Sequence, residues 1–247
     1  LEQVLGKGGK LAGKFDEYNR NARLKPAFIV TIPVALVCIA LGMKTSILAT
    51  VLVTPLTSLG LTALIAQFTR DAGKKKELGL FQRWGGKPTT VKLRHTNASL
   101  NGYTRARYHE KLQKLMGKRM PSPDDEAKDS VRSDQIYETA GDFLREKTRD
   151  TQKYRLLFEE LMNYGFRRNL WALKPVGVLI SCIATALITA VVIFNAGSSA
   201  ILDPMAWTTM GLNWLVLIWW LFRITPDWVH QSANEYATRL LAALDDL

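Results

Sequence analysis

"PVGVLISCIATALITAVVIFNA", residues Pro175 to Ala196, runs for 22 residues without a charged side chain. A helix needs about 20 such residues to cross the hydrocarbon core of a bilayer. Three more runs share this character: Pro26 to Met43 ("PAFIVTIPVALVCIALGM"), Thr45 to Phe68, and Met205 to Phe222. A buried helix of a soluble protein would explain any one of them. Four, arranged as two close pairs, point to a membrane protein. The mean hydropathy of −0.02 hides this, because a polar, basic middle offsets the apolar runs.

The chain therefore reads as an all-α integral membrane protein, with four transmembrane helices in two hairpins and a helical cytoplasmic region between them. Residues 1–25 form a partly amphipathic cytoplasmic N-terminal segment. Residues 26–68 form the first hairpin, 69–174 the cytoplasmic region, 175–224 the second hairpin, and 225–247 an amphipathic C-terminal helix. The first run has a basic flank but no small-residue cleavage site before the next run begins, so it reads as a span and not as a secretory signal.

Lysine and arginine set the orientation. Lys7, Lys10, Lys14, Arg20, Arg23 and Lys25 precede the first span, and the long central connection begins with Arg70, Lys74, Lys75 and Lys76. The short connections carry little charge, Lys44 in one and Asp203 in the other. Both termini and the central region are thus expected in the cytoplasm, with Trp207, Trp219 and Trp220 at interfacial levels. Cys38 and Cys182 fall inside spans, and His95, His109 and His230 are scattered. No disulfide, metal site or cofactor is expected.

The quoted run carries Gly177, Ser181, Thr185 and Thr189 at four-residue spacing, and the second span repeats the device with Ser46, Thr50, Thr54, Ser58 and Thr62. Four residues advance a helix by ~400°, so each stripe drifts only about 40° per step. Small and hydroxyl residues let helices approach closely and hydrogen-bond across the contact. The same stripe would suit the wall of an aqueous conduit. Pro33 and Pro55 are expected to kink spans one and two. No Asp, Glu, Lys or Arg lies deep in a span, which disfavours a proton- or ion-coupled transporter.

The first and third spans are introduced alike, by "RNARLKPAF" and "RNLWALKPVG", which suggests two hairpins of like orientation. Proline suits a helix start, where its missing N–H would have no partner. Gly165 is expected to interrupt the helix before the third span. Lys25, Lys74, Lys75, Lys76, Arg167, Arg168 and Lys174 are the candidates for contact with anionic lipid headgroups.

Between the hairpins, Arg70 to Arg119 holds fourteen basic and three acidic residues, and Met120 to Glu160 holds eleven acidic and seven basic. Helical spacing dominates here. Tyr108, Leu112, Leu115 and Met116 share a face, as do Tyr154, Leu157, Phe158, Leu161 and Met162. Ser122, followed by Pro123 and three carboxylates, reads as a helix cap. "FQRWGGKPTTVKLRH" (81–95) combines a Gly-Gly turn with a basic, hydroxyl-rich helix start. Gly85, Gly86, Lys87, Thr89, Thr90 and Arg94 are the candidates for a phosphate ligand there, although the loop lacks the Walker spacing. Nothing marks a catalytic constellation, and the chain is not read as an enzyme.

The layout of hairpin, cytoplasmic helical region and hairpin resembles the four-transmembrane effector proteins of bacterial anti-phage conflict systems. "WGGKPTT" with "LRH" (Trp84 to Thr90 and Leu93 to His95) and "YGFRRNLWALKP" (Tyr164 to Pro175) are similar to blocks of bacterial membrane proteins. The resemblance implies a homo-oligomer of the bacterial inner membrane that perturbs or permeabilises the bilayer once a sensor protein or nucleotide messenger signals infection. Two alternatives stand beside it. One is a non-conducting scaffold that recruits a partner protein through the basic region. The other is an enzyme acting on lipid or nucleotide at the Gly-Gly-Lys loop. Nucleic acid is not an expected partner.

Overall fold

The computed structural model describes residues 17–42, 59–195 and 204–247, all helices and connections with no strand among them. Ser46, Thr50, Thr54, Ser58 and Pro55 of the expected second span lie outside the described residues, as does the Thr62 side chain. A π-helical turn, Asn19–Leu24, leads into α1 (Lys25–Ala40). There follow α2 (Leu59–Arg83), α3 (Pro88–Leu93), α4 (Gly102–Met116), α5 (Pro123–Lys128) and α6 (Ser130–Lys147). The chain continues as α7 (Arg155–Asn195), α8 (Pro204–Phe222) and α9 (Pro226–Ala242), and ends in a 3₁₀ turn at Ala243–Asp246. Among the described residues, three helical stretches are long and apolar enough to cross a membrane: Asn19–Ala40, Arg155–Ile193 and Pro204–Phe222.

The chain divides into two units, Leu1–Lys76 with Gly165–Val229, and Glu77–Tyr164 with His230–Leu247. Both divisions of the central segment, and the last one, fall inside continuous helices: α2, α7 and α9.

In the first unit α1, α7 and α8 pack together. Val30 clusters with Leu170, Trp220 and Ile224, while Leu36, Val37 and Ala40 cluster with Ala184 and Ile188, against Met210. Rising numbers on α1 meet rising numbers on α7 and falling numbers on α8. Helices α1 and α7 therefore run parallel, and α8 runs antiparallel to both. Their outward faces are apolar, as lipid-facing surfaces must be. Leu179 and Leu215 are among the exposed side chains.

Two sequence expectations change here. Gly165 does not interrupt a helix, because α7 continues through it. Its missing side chain instead admits Ala22, whose Cβ lies 3.0 Å from where a Gly165 Cβ would be. Pro175 lies inside α7 and does not open a new helix. The bundle continues one long helix across the expected domain boundary at residue 174.

The second unit has its own core. Leu93, Leu112, Tyr137, Ala140 and Leu144 meet Leu240, Leu241 and Leu244 from the C-terminal segment, all fully buried. Leu115, expected on the buried face of α4, is 41% exposed. Helix α5 starts as read: Ser122 and Asp125 exchange the reciprocal bonds of a capping box, with Pro123 in the first turn. The amphipathic C-terminal segment is thus structural core, not an appendage. Lys111 Nζ donates to the Leu244 carbonyl at 3.1 Å and to Asp245 at 2.9 Å, which pins the chain end.

Leu241→Ala removes a fully buried side chain from this core, and such truncations cost about 2–5 kcal/mol. The substitution should lower the unfolding midpoint of the second unit, followed by helical circular dichroism in detergent. An unchanged midpoint would mean that residues 230–247 do not complete the core.

Candidate functional site

Polar side chains gather at three places. The first is the seam between α7 and α8 in the first unit. A Cβ added at Gly177 would fall on the indole ring of Trp220, so the two helices touch where α7 has no side chain. Four residues on, the Ser181 hydroxyl is fully buried and donates to the Gly177 carbonyl at 2.8 Å. Thr185 and Thr189 repeat this bond to the carbonyl four residues back, at 2.9 and 2.8 Å. Asn213 of α8 closes the seam. Its Nδ2 donates to the Ser181 carbonyl at 3.0 Å and to Thr185 Oγ1 at 2.8 Å. Asn213 is 0% exposed, and its Oδ1 is buried with no hydrogen-bond partner. Three of the four stripe residues on α7 thus lie at the helix contact; Thr189 is exposed.

Asn213 carries no charge and belongs to neither stripe of small and hydroxyl residues, so neither pattern marks it. The signal was present, since an asparagine stands inside the uncharged run "MAWTTMGLNWLVLIWWLF".

The second place is where α1 begins. Pro26 has no N–H to offer the Ala22 carbonyl one turn earlier. Asn169 Nδ2 supplies the donor at 2.7 Å. Asn169 is buried, and its Oδ1 accepts from Arg168 Nε and Nη2 at 3.3 and 3.2 Å. Gly73 of α2 completes the junction, because any side chain there would strike Asn169.

The lipid-headgroup candidates differ in their surroundings. Arg168 is only 8% exposed. Arg167 donates to the Trp228 carbonyl at 3.0 Å and sits 5.0 Å over that indole ring. Lys174 Nζ bonds the Leu221 and Ile224 carbonyls at 2.8 Å each, capping the end of α8. Lys76 lies 5.6 Å over the Trp171 ring. Lys25, Lys74, Lys75 and Lys76 are exposed. The long stems of arginine and lysine let Arg167, Lys174 and Lys76 reach protein carbonyls and rings.

The third place is the Gly-Gly loop of the second unit. Gly85 and Gly86 adopt φ of +75° and +143°, where side chains fit poorly. The resulting turn aims Lys87 and Arg94 at α6. Lys87 Nζ pairs with Glu138 at 2.8 Å. Arg94 grips both oxygens of Asp134, at 2.8 and 2.6 Å, and bonds the Gly85 carbonyl at 2.8 Å. Thr89 and Thr90 are buried. The loop's two cations therefore brace α3 against α6, and an incoming phosphate would have to displace two carboxylates. Of the phosphate candidates Gly85, Gly86, Lys87, Thr89, Thr90 and Arg94, the two cations are thus met by carboxylates of a neighbouring helix, which the loop's own sequence does not show.

Beside this brace lies a buried polar network. Glu126 accepts from the His95 and Thr96 N–H groups at 2.8 and 3.2 Å, from the Thr96 hydroxyl at 3.1 Å and from the Tyr137 hydroxyl at 2.8 Å. Burial works against its charge, but these four bonds outweigh it and hold the carboxyl below its ordinary range. Burial and the bond to Glu126 push Tyr137 in the opposite direction, up. His109 Nε2 bonds the Leu93 carbonyl at 2.9 Å, and burial lowers its pKa to about 4. These bonds, with those from Arg105 to the His95 and Leu100 carbonyls, hold the 94–101 connection in place. Among the described residues no group of three His, Cys, Asp or Glu side chains is placed to hold a metal ion.

No family model, curated protein or solved structure matches the chain.

Two outcomes test this geometry. Gly177→Ala should push α8 from α7 and destabilise the first unit by roughly 1–3 kcal/mol, the usual cost of overpacking, seen as a lower thermal midpoint in detergent. The second concerns acid. His109 stays neutral in the folded chain down to about pH 4, while the unfolded chain takes up the proton near pH 6.5. Its contribution is therefore complete above pH 6.5 and lost as pH falls to about 4, a change of roughly 3 kcal/mol. Denaturant unfolding of His109→Gln should show a shallower loss between those pH values than the parent; parallel curves would refute the assignment.

Proposed function

We propose that this chain is an oligomeric effector of the bacterial inner membrane, which permeabilises the bilayer when its cytoplasmic region receives a signal, in defence against phage. In this reading four spans form two hairpins, and both termini are cytoplasmic. The distribution of lysine and arginine supports that topology. The parallel course of α1 and α7 supports two hairpins of like orientation.

One observation carries the functional part: Asn213. An interhelical hydrogen bond inside a membrane is worth about 0.6 kcal/mol on average. Leaving a buried acceptor unpaired costs about 1–3 kcal/mol. Two bonds from Nδ2 thus barely offset the stranded Oδ1. A leucine of similar size would serve packing as well or better. A side chain that stability does not require, placed on a seam of hydroxyls within the spans, suits a seam that is wetted when the helices separate. The trigger acts on the second unit, whose core contains the chain segment that follows α8.

The scaffold alternative draws on free positive charge in the central region. Lys87, Arg94, Arg107 and Lys111 are instead paired with carboxylates of the same unit, which weakens it.

Asn213→Leu should leave the thermal midpoint unchanged or slightly higher, and should abolish leakage of ions or dye from liposomes holding the full chain under conditions where the parent leaks. Equal leakage from both would remove Asn213 from the pathway. A parent protein that never leaks, even with cytosolic extract from phage-infected cells as the trigger, would sink the effector reading.

A further inference from the structure

We infer that the seam of α7 and α8, once wetted, passes monovalent cations and excludes anions. The inference rests on the permeabilising reading above and names what that pathway selects.

The hydroxyls along the seam turn their hydrogens toward the backbone. Ser181 donates to the Gly177 carbonyl, Thr185 to the Ser181 carbonyl and Thr189 to the Thr185 carbonyl. On α8, Thr209 bonds the Met205 and Ala206 carbonyls at 3.0 and 2.9 Å. It stands four residues before Asn213, on the same face of the helix, and both side chains are buried. A hydroxyl has one donor and two acceptor lone pairs. Each of these residues therefore presents only oxygen to a passing solute, and facing an anion would require breaking a bond already made.

Asn213 follows the same pattern. Its Nδ2 is engaged by the Ser181 carbonyl and Thr185 Oγ1, and its fully buried Oδ1 has no hydrogen-bond partner. Turning the amide over gives no relief, because the Ser181 carbonyl accepts and never donates. Separation of the helices would free Nδ2, but it would free the Ser181 carbonyl as well, so oxygen stays in excess. The stranded group is thus an acceptor, set on a stripe of acceptors.

Neutral oxygens of this kind replace the water around potassium in channel filters, whereas an anion needs N–H or O–H donors. Calcium and magnesium call for carboxylates or keep their own water. No Asp or Glu stands in residues 175–195 or 204–222. The lining accordingly fits a monovalent cation.

Two groups act in the other direction. Trp220 Nε1 is a buried donor with no hydrogen-bond partner, on the same face of α8 two turns beyond Asn213. Its ring is closed against Gly177 and packed among Val30, Leu170 and Ile224, which keeps that level apolar. Lys174 is charged, but its Nζ is bound to two carbonyls at the end of α8. It precedes Ser181 by seven residues, about 10 Å along the helix, which is about one Debye length at 0.1 M salt.

The test is the reversal potential of the full chain in a planar bilayer, with cytosolic extract from phage-infected cells as the trigger and potassium chloride more concentrated on one side. The current should reverse close to the potassium equilibrium potential. It should survive replacement of chloride by gluconate and vanish when N-methylglucamine replaces potassium. Reversal at zero, or near the chloride potential, overturns the cation assignment and leaves the permeabilising reading standing. Calcium current equal to potassium current overturns the monovalent part. A bilayer that never conducts overturns both readings together. Thr185→Val removes one oxygen at nearly constant shape and should move the reversal potential toward zero. Thr189→Val provides the same test should Thr185→Val fail to fold. A reversal potential unchanged in both folded variants would place the selectivity outside the seam and overturn its assignment there.

Discussion

Pro26 leaves the Ala22 carbonyl without its helical donor, and Asn169 reaches across from α7 to supply one at 2.7 Å. In an apolar medium each backbone polar group needs a partner within the protein, so this bond fixes where α1 stands against α7. Its neighbours follow from it. Gly73 and Gly165 are small because α2 and the π-helical turn approach at that level. The turn itself shifts the register: the Lys25 N–H bonds the Arg20 carbonyl five residues back. Such local widening is common where a helix accommodates a functional contact. Above the junction the parallel packing of α1 on α7 places Leu36 and Val37 against Ala184 and Ile188.

The two units treat charge differently, and that difference organises the molecule. In the second unit, lysine and arginine reach carboxylates on neighbouring helices, so its near balance of charge is spent on holding the unit together. Exposed pairs of this kind contribute little individually. Their larger effect is to leave few cations for an external ligand. In the first unit Arg167 and Lys174 donate to backbone carbonyls, and Arg167 and Lys76 lie over indole rings. The polar seam of α7 and α8 adds a third treatment, in which a neutral amide is buried with one of its groups unused.

Much of this could be read before the structure. The uncharged runs required helices, since no other open structure satisfies its backbone in lipid. The cap at Ser122 was legible because a capping box is a local pattern. The four-residue stripe on α7 was legible from periodicity. The loop at 81–95 is the opposite case, because its partners are not local. Its residues have the composition of an anion site, but Glu138 and Asp134, 51 and 40 residues further on, cancel its charge. Sequence reports the charge of Arg168 but not its direction, and the fold buries that side chain beside Asn169.

The sequence by itself determined helical class, the apolar spans, their basic flanks and the spacing of the hydroxyls, because each follows from local propensity, length or period. Tertiary structure alone decided which helix faces the stripe, that Asn213 completes it, that Asn169 answers Pro26, and that the last residues finish the core around Leu112 and Tyr137. Those outcomes depend on contacts between segments far apart in the chain. No local pattern encodes them, since the same side chain is a lipid contact, an ion pair or a cap depending on what the fold brings within three ångströms or so.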